Sequence, residues 1–366
     1  MRKRSGVLAV GAGVLALTMF AAACSKNDNG SAANSSGGNS GAGLTGAGAT
    51  FPDPIYEQWF KDFQTLTGTK INYQPIGSGG GVQQFTARTV DFGASDAPLQ
   101  TEEVAALPGE AVQIPTVIGG VAVAYNVSGL KSGLKLDGPT VAKIFLGSIT
   151  KWNDPAIAGQ NAGVTLPGSD ISVVHRSDES GTTKVFTSWL SSQSSDWESQ
   201  VGADKAVQWP VGVGGDGNDG VAAGMQQTPD SIGYLSFDFA VKSKFGSASI
   251  KREDGTYVEP SVESISKAGG DLKFPISPDT SILNSSTSGA YPISTTTYLL
   301  VYKDQTDPAK GQTLVDLVYW ALTKGQDEVK QLNYSPLPST VQQQALDLLK
   351  QVAGNGTPIS PSSTVT

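Results

Sequence analysis

Four times along the chain, a short apolar strand runs into glycine and small hydroxyl residues and then directly into an amphipathic helix. The stretches are GAGATFPDPIYEQWFKDFQTLTG (46–68), NYQPIGSGGGVQQFTARTVDFGASDAPL (72–99), ISVVHRSDESGTTKVFTSWLSS (171–192) and GGDGNDGVAAGMQQTPDSIGYLSF (214–237). Strands alternating with helices in this way build α/β layers, a mixed sheet flanked by helices. In the first, Ile55, Trp59, Phe60, Phe63 and Leu66 share a helical face. Thr50 is the expected N-cap, Pro52 and Pro54 fit the first turn, and Gly68 ends the helix. In the second, a strand over 71–74 leads through Gly77–Gly81 to a helix with Val82, Phe85 and Thr89 inward. A buried strand then ends at Ser95-Asp96. In the third, a strand over 171–175 precedes a helix opened by Ser180-Gly181-Thr182 and carrying Val185, Phe186, Trp189 and Leu190. In the fourth, a helix from about 219 to 227 leads to a strand over 232–237.

Each helix start leaves backbone N–H groups unpaired and carries the positive end of the helix dipole. Glycine admits a ligand to the backbone, and a hydroxyl adds one more donor. Several such ends converging make an anion site with few cationic side chains. Three of the four starts combine glycine with Ser or Thr, and the third adds Arg176. The fourth, at Asn218-Asp219-Gly220, reads as a structural helix start. A length of 366 residues suits two lobes rather than one core.

Enzyme motifs are weak by comparison. No Gly-Lys-Ser/Thr follows the Gly77 run, and GAGATF lacks the third glycine of a dinucleotide fingerprint. His175, the one histidine, lies on a strand beside Arg176. No Gly-x-Ser-x-Gly elbow surrounds Ser180, so a serine hydrolase using Ser180 or Ser78 is the minor alternative. With one histidine and one cysteine, zinc or copper clusters of those residues are excluded, and no metal or cofactor is expected.

The N-terminus sets the compartment. Arg2, Lys3 and Arg4 precede an apolar run over 7–23 that ends in small residues, the shape of an export signal (1–23). AAAC closes it at Cys24, which reads as the acceptor of a bacterial lipid anchor, with Ala21 standing where leucine is usual; ordinary cleavage at A-x-A, giving a free soluble protein, is the alternative. Residues 24–43 then form a flexible Gly/Ser/Asn tether. The expected location is the extracytoplasmic face of the cell membrane. Formal net charge is −8, and losing the signal removes three cations, leaving a body near −11. Such a surface does not favour nucleic acid.

From about Leu44 to Gln351 the chain resembles the phosphate-binding lipoproteins of ABC-type phosphate importers. The resemblance rests on GAGATFPDPIYEQW, IGSGGG, TVDFGASDAPL, HRSDESGTT, GNDGVAAGMQQTPDSIGY and YPISTTTYLLV. It implies a two-lobed, periplasmic-binding-protein-like (type II) fold hinged by two crossover strands. It also implies a monomeric carrier, not an enzyme, that captures inorganic phosphate for an ABC permease. By position it implies ligand contacts at Thr50, Phe51, Ser78, Asp96, Arg176, Ser180, Gly181 and Thr182, with Asp178 holding Arg176. Glu179 stands where the family often has glycine. Asp96, read as an acceptor only, demands a proton on the ligand, which phosphate has and sulfate lacks. A mismatch of this kind discriminates by about 10⁴–10⁵. A binder of another oxyanion, sulfate or molybdate, is therefore the weaker alternative.

The apolar stretches GVAVAYN and TTTYLLVYK read as the crossovers. They place residues 44–125 with 296–354 in one lobe and 126–295 in the other. Helices around 314–323 and 340–352 should pack on the first lobe, and 355–366 is expected to be a disordered tail.

Overall fold

The computed structural model describes residues 42–366. The expected signal, Cys24 and most of the tether lie outside the described residues. Nine strands form one mixed sheet: β1 (Leu44–Gly48), β2 (Ile71–Pro75), β3 (Phe92–Ser95), β4 (Ala111–Asn126), β5 (Ser172–Arg176), β6 (Val213–Gly215), β7 (Ser231–Ser236), β8 (Gly246–Ser247) and β9 (Ser294–Tyr302). Their order is β2-β1-β3-β9-β4-β7-β5-β6, with β8 also against β4. β1 lies parallel to β2 and β3, and β5 parallel to β6 and β7. The antiparallel pair β4 and β9 joins these two parallel trios.

β4 changes partner along its length. Ala111–Gly120 pairs with β9, and Val121–Asn126 pairs with β7. This divides the sheet into a first half (β2, β1, β3, β9) and a second half (β7, β5, β6). The change falls at Gly120–Val121. GVAVAYN carries no polar side chain before Tyr125, so only the hydrogen-bond ladder locates the switch. The principal apolar core runs through both halves, from Trp59 and Phe63 to Trp152, Trp189 and Trp197.

The helices that matter for the site are α1 (Asp53–Thr67), α2 (Ser78–Thr86), α3 (Thr101–Ala106), α4 (Gly181–Gln193) and α5 (Gly217–Gln227), followed by α6 (Pro308–Leu322) and α7 (Ser339–Leu349). Four of them begin just past the carboxyl end of a parallel strand: β1 into α1, β2 into α2, β5 into α4 and β6 into α5. Open α/β sheets place ligand crevices at such ends.

Local expectations needed four corrections. Thr50 does not cap α1: the helix starts at Asp53, and its N-cap position is Pro52, with no side-chain cap. Thr50 lies too far upstream, and its hydroxyl is engaged elsewhere. Leu66 is 46% exposed because the buried face of α1 stops at Phe63. Thr89 is exposed, since α2 ends at Thr86 and the chain turns at Arg88 with φ 53°. The C-terminal residues are folded rather than disordered. Thr357–Pro358 pairs with Ala353–Gly354, the Ser360 carbonyl accepts from Gln312 at 2.9 Å, and the Ser362 N–H donates to Asp316 at 2.7 Å. Val365 is buried. Apolar side chains in the tail find a surface on α6, and its polar backbone finds partners there. Among the described residues, no helix is long and apolar enough to cross a membrane.

Candidate anion-binding site

The residues singled out by sequence lie at one meeting point of the two halves. Thr50 and Phe51 lead into α1, and Ser78 opens α2. Asp96 follows β3, Arg176 ends β5, and Ser180-Gly181-Thr182 opens α4. All eight are buried. Contacts across the halves are direct. The Gly79 N–H donates to the Glu179 carbonyl at 2.9 Å. A Cβ built on Gly181 would collide with Ser78 Oγ and stand 2.8 Å from Asp96 Cβ. Gly181 is thus required by a close approach, not by a turn. Phe51 is seated in a similar way, because its ring fills the space where Gly119 of β4 lacks a side chain.

Arg176 is held on three sides. Its N–H donates to Tyr234 Oη at 3.1 Å, its Nε donates to Asp178 Oδ1 at 2.7 Å, and its Nη2 pairs with Asp178 Oδ2. The fork is therefore fixed in one plane, as a bidentate guanidinium–carboxylate pair should be. Asp178 also accepts the Gly217 N–H at 3.1 Å, so the start of α5 holds the pair from behind. Among the described residues, Arg176 Nη1 is buried with no partner, and so is Thr182 Oγ1. An unpaired buried guanidinium nitrogen costs more than an ordinary lost hydrogen bond, so it marks a place where a charged acceptor belongs.

Asp96 is the acid of this donor-rich point. Its N–H donates to Ser78 Oγ at 3.2 Å, and its Oδ1 accepts from Thr297 Oγ1 at 2.9 Å. Burial pushes its carboxyl up to about 7, against the opposing pull of the Thr297 hydroxyl and of Arg176. Near neutrality the Asp96 carboxyl is thus within reach of holding a proton itself.

The hydrolase alternative gains nothing here. Ser180 Oγ accepts the Thr183 N–H at 3.1 Å, and Ser78 Oγ accepts from the Asp96 backbone. His175 stacks on Trp209 at 4.9 Å, with Nδ1 2.9 Å from the Arg176 carbonyl oxygen. Burial lowers its pKa. Among the described residues, neither serine hydroxyl is hydrogen-bonded to an imidazole, and the carboxyl beside Ser78 is that of Asp96.

Comparison with known proteins gives the family. The PBP superfamily domain model matches residues 30–345. The phosphate-binding protein PstS of Xylella fastidiosa (strain Temecula1) is 42% identical over 299 residues, covering 81% of this chain and 82% of its own. That of Haemophilus influenzae is 42% identical over 310 residues, covering 83% and 92%. The chain belongs to the PstS family of the PBP superfamily. A high-affinity periplasmic phosphate-binding protein solved with phosphate shares the fold of this PstS-family chain with a TM-score of 0.66, at 22% identity, covering 82% and 92%.

Several residues of this PstS-family site were not legible in sequence. Thr297 is one of three successive threonines. The β4–β9 register slips between Thr297 and Tyr298, leaving Thr116 opposite the step. Such a bulge re-aims side chains: the Thr297 hydroxyl reaches the Asp96 carboxyl, while that of Thr295 donates to the Asp96 backbone carbonyl at 3.1 Å. Tyr234 and Asn218 come from the fourth strand–helix unit, which carried only a capping signal. Glu103 of α3 and Lys205 form an ion pair across the halves, with side chains 25% and 8% exposed. The two stand far apart in sequence, and no local pattern links them.

Proposed function

We propose that this chain binds inorganic phosphate between the two halves of its sheet, outside the cytoplasmic membrane, and hands it to an ABC-type permease. The observation that carries this reading is the pair of buried unpartnered donors, Arg176 Nη1 and Thr182 Oγ1, beside Asp96. A tetrahedral oxyanion offers acceptors to the donors and, as hydrogen phosphate, a proton to the carboxylate. In this reading Thr50, Ser78, Ser180 and the backbone at Phe51 and Gly181 complete the shell. The names of the PstS relatives support phosphate over other oxyanions.

The two halves act as lobes, approximately 44–125 with 296–354 and 126–295, moving about β4 and β9. Ligand held from both sides favours the closed arrangement, and the permease reads that closure. Lipid on Cys24 keeps the monomeric carrier at the membrane. Calorimetry of the chain with phosphate should give tight one-to-one binding, with none for Arg176→Ala of unchanged melting behaviour. Phosphate binding unaffected by Arg176→Ala would overturn the site. Replacement of Cys24 by serine should release the chain from the membrane fraction.

A further inference from the structure

The start of α5 reads from sequence as a structural helix start, yet it reaches into the site. Asn218 is fully buried. Its Nδ2 donates to Thr50 Oγ1 at 2.9 Å, and its backbone N–H points to the same oxygen at 3.4 Å. Its Oδ1 accepts the Ser236 N–H at 2.9 Å. That bond decides which way the amide faces: the carbonyl toward Ser236, the NH₂ toward Thr50. A threonine hydroxyl has two lone pairs and one proton. With both lone pairs taken, Thr50 can only donate. Among the described residues, its proton has no protein acceptor.

We infer that Asn218 is a positioning residue for the ligand: it saturates the acceptor side of the Thr50 hydroxyl and so turns its proton onto the bound oxyanion. The inference rests on the phosphate-binding reading above. Asn218 belongs to the second half and Thr50 to the first, so the hydroxyl is oriented only while the halves are together. The same turn supports the Arg176–Asp178 pair through the Gly217 N–H. Gly217 has φ 66°, and a Cβ there would stand 3.4 Å from Thr50 Cγ2, an ordinary contact, so the turn lies alongside Thr50. One turn of α5 thus sets two donors of the site.

A merely structural asparagine would affect binding whether or not Thr50 carries a hydroxyl, and a double-mutant cycle separates the cases. Phosphate affinity is measured by calorimetry for Asn218→Ala, Thr50→Val and the double variant. Asn218→Ala should weaken binding roughly tenfold, the loss of one hydrogen bond to a charged ligand. In the Thr50→Val background the same change should cost nothing further. Equal losses in both backgrounds, or no loss from Asn218→Ala alone, overturn the inference. Should Asn218→Ala fold poorly, Asn218→Asp keeps the bond to Ser236 but offers Thr50 an acceptor. It should weaken binding strongly with Thr50 present and less in the Thr50→Val background, and an equal effect in both overturns the inference. Arg176→Ala runs alongside as a separate arm. If it leaves phosphate bound, the pocket reading falls and this inference with it. If it abolishes binding while the cycle is additive, only the inference falls.

Discussion

Replacing Asp96 by asparagine should collapse the preference for phosphate over sulfate, and the structure sets the size and pH dependence of that preference. Asp96 Oδ1 is committed to Thr297, and its carboxyl is lifted to about 7 by burial. Hydrogen phosphate brings its own proton to the remaining acceptor. Sulfate brings none, so the carboxyl must be protonated first. One unit above its pKa, about a tenth of Asp96 is protonated, and one unit below, about nine tenths. Sulfate affinity of the wild type should therefore fall roughly tenfold from about pH 6 to about pH 8, with phosphate falling less. In Asp96→Asn the amide can turn either way. Its NH₂ donates to sulfate while its oxygen accepts from Thr297, or its oxygen accepts from phosphate while its NH₂ bonds the Thr297 hydroxyl. Sulfate binding by the variant should be stronger than in wild type and independent of pH. Calorimetry with both anions at matched ionic strength reads this directly. Sulfate affinity that ignores pH in the wild type, or that is unchanged by the substitution, would falsify the account. The burial-derived pKa also tempers the expectation from sequence, where a fixed carboxylate implied a far larger barrier to sulfate.

Other outcomes follow from the same geometry. A body with formal charge of −8 over the whole chain has no broad positive field. Phosphate affinity should accordingly change less than about threefold between roughly 50 and 500 mM inert salt, and a steep loss by equilibrium titration would contradict short-range capture. Gly181→Ala places a methyl against Ser78 Oγ and Asp96, so phosphate binding measured by calorimetry should weaken by more than tenfold. Glu103→Gln leaves the mostly buried Lys205 without its counter-charge in the closed arrangement, so stopped-flow release of phosphate should accelerate about threefold to tenfold. Asp238 is buried against the Ser236 hydroxyl, and burial raises its carboxyl to about 7. A raised carboxyl favours the protonated native state, so its contribution is present at low pH and is lost as pH climbs from the ordinary carboxylate value toward 7. Asp238→Asn should thus gain stability relative to wild type across that window in chemical denaturation, and a constant difference would refute the assignment.

Much of this protein was legible before any coordinates. The strand–glycine–helix units pointed to the α/β class, because short apolar strands alternate there with helical periodicity. Arg176 and Ser180-Gly181-Thr182 stood out for the same reason: their chemistry is local. The partners that make the site work are not local. Thr297 reaches Asp96 only through a bulge between strands distant in sequence, and Asn218 meets Thr50 only across the halves. Helix periodicity likewise could not say that Leu66 lies beyond the core, or that the polar C-terminal residues find partners on α6. Composition and spacing determined which groups could donate to an anion. Tertiary packing decided which are left unpaired, which way their protons point and how far burial shifts Asp96, since these depend on desolvation and on neighbours brought in from elsewhere in the chain.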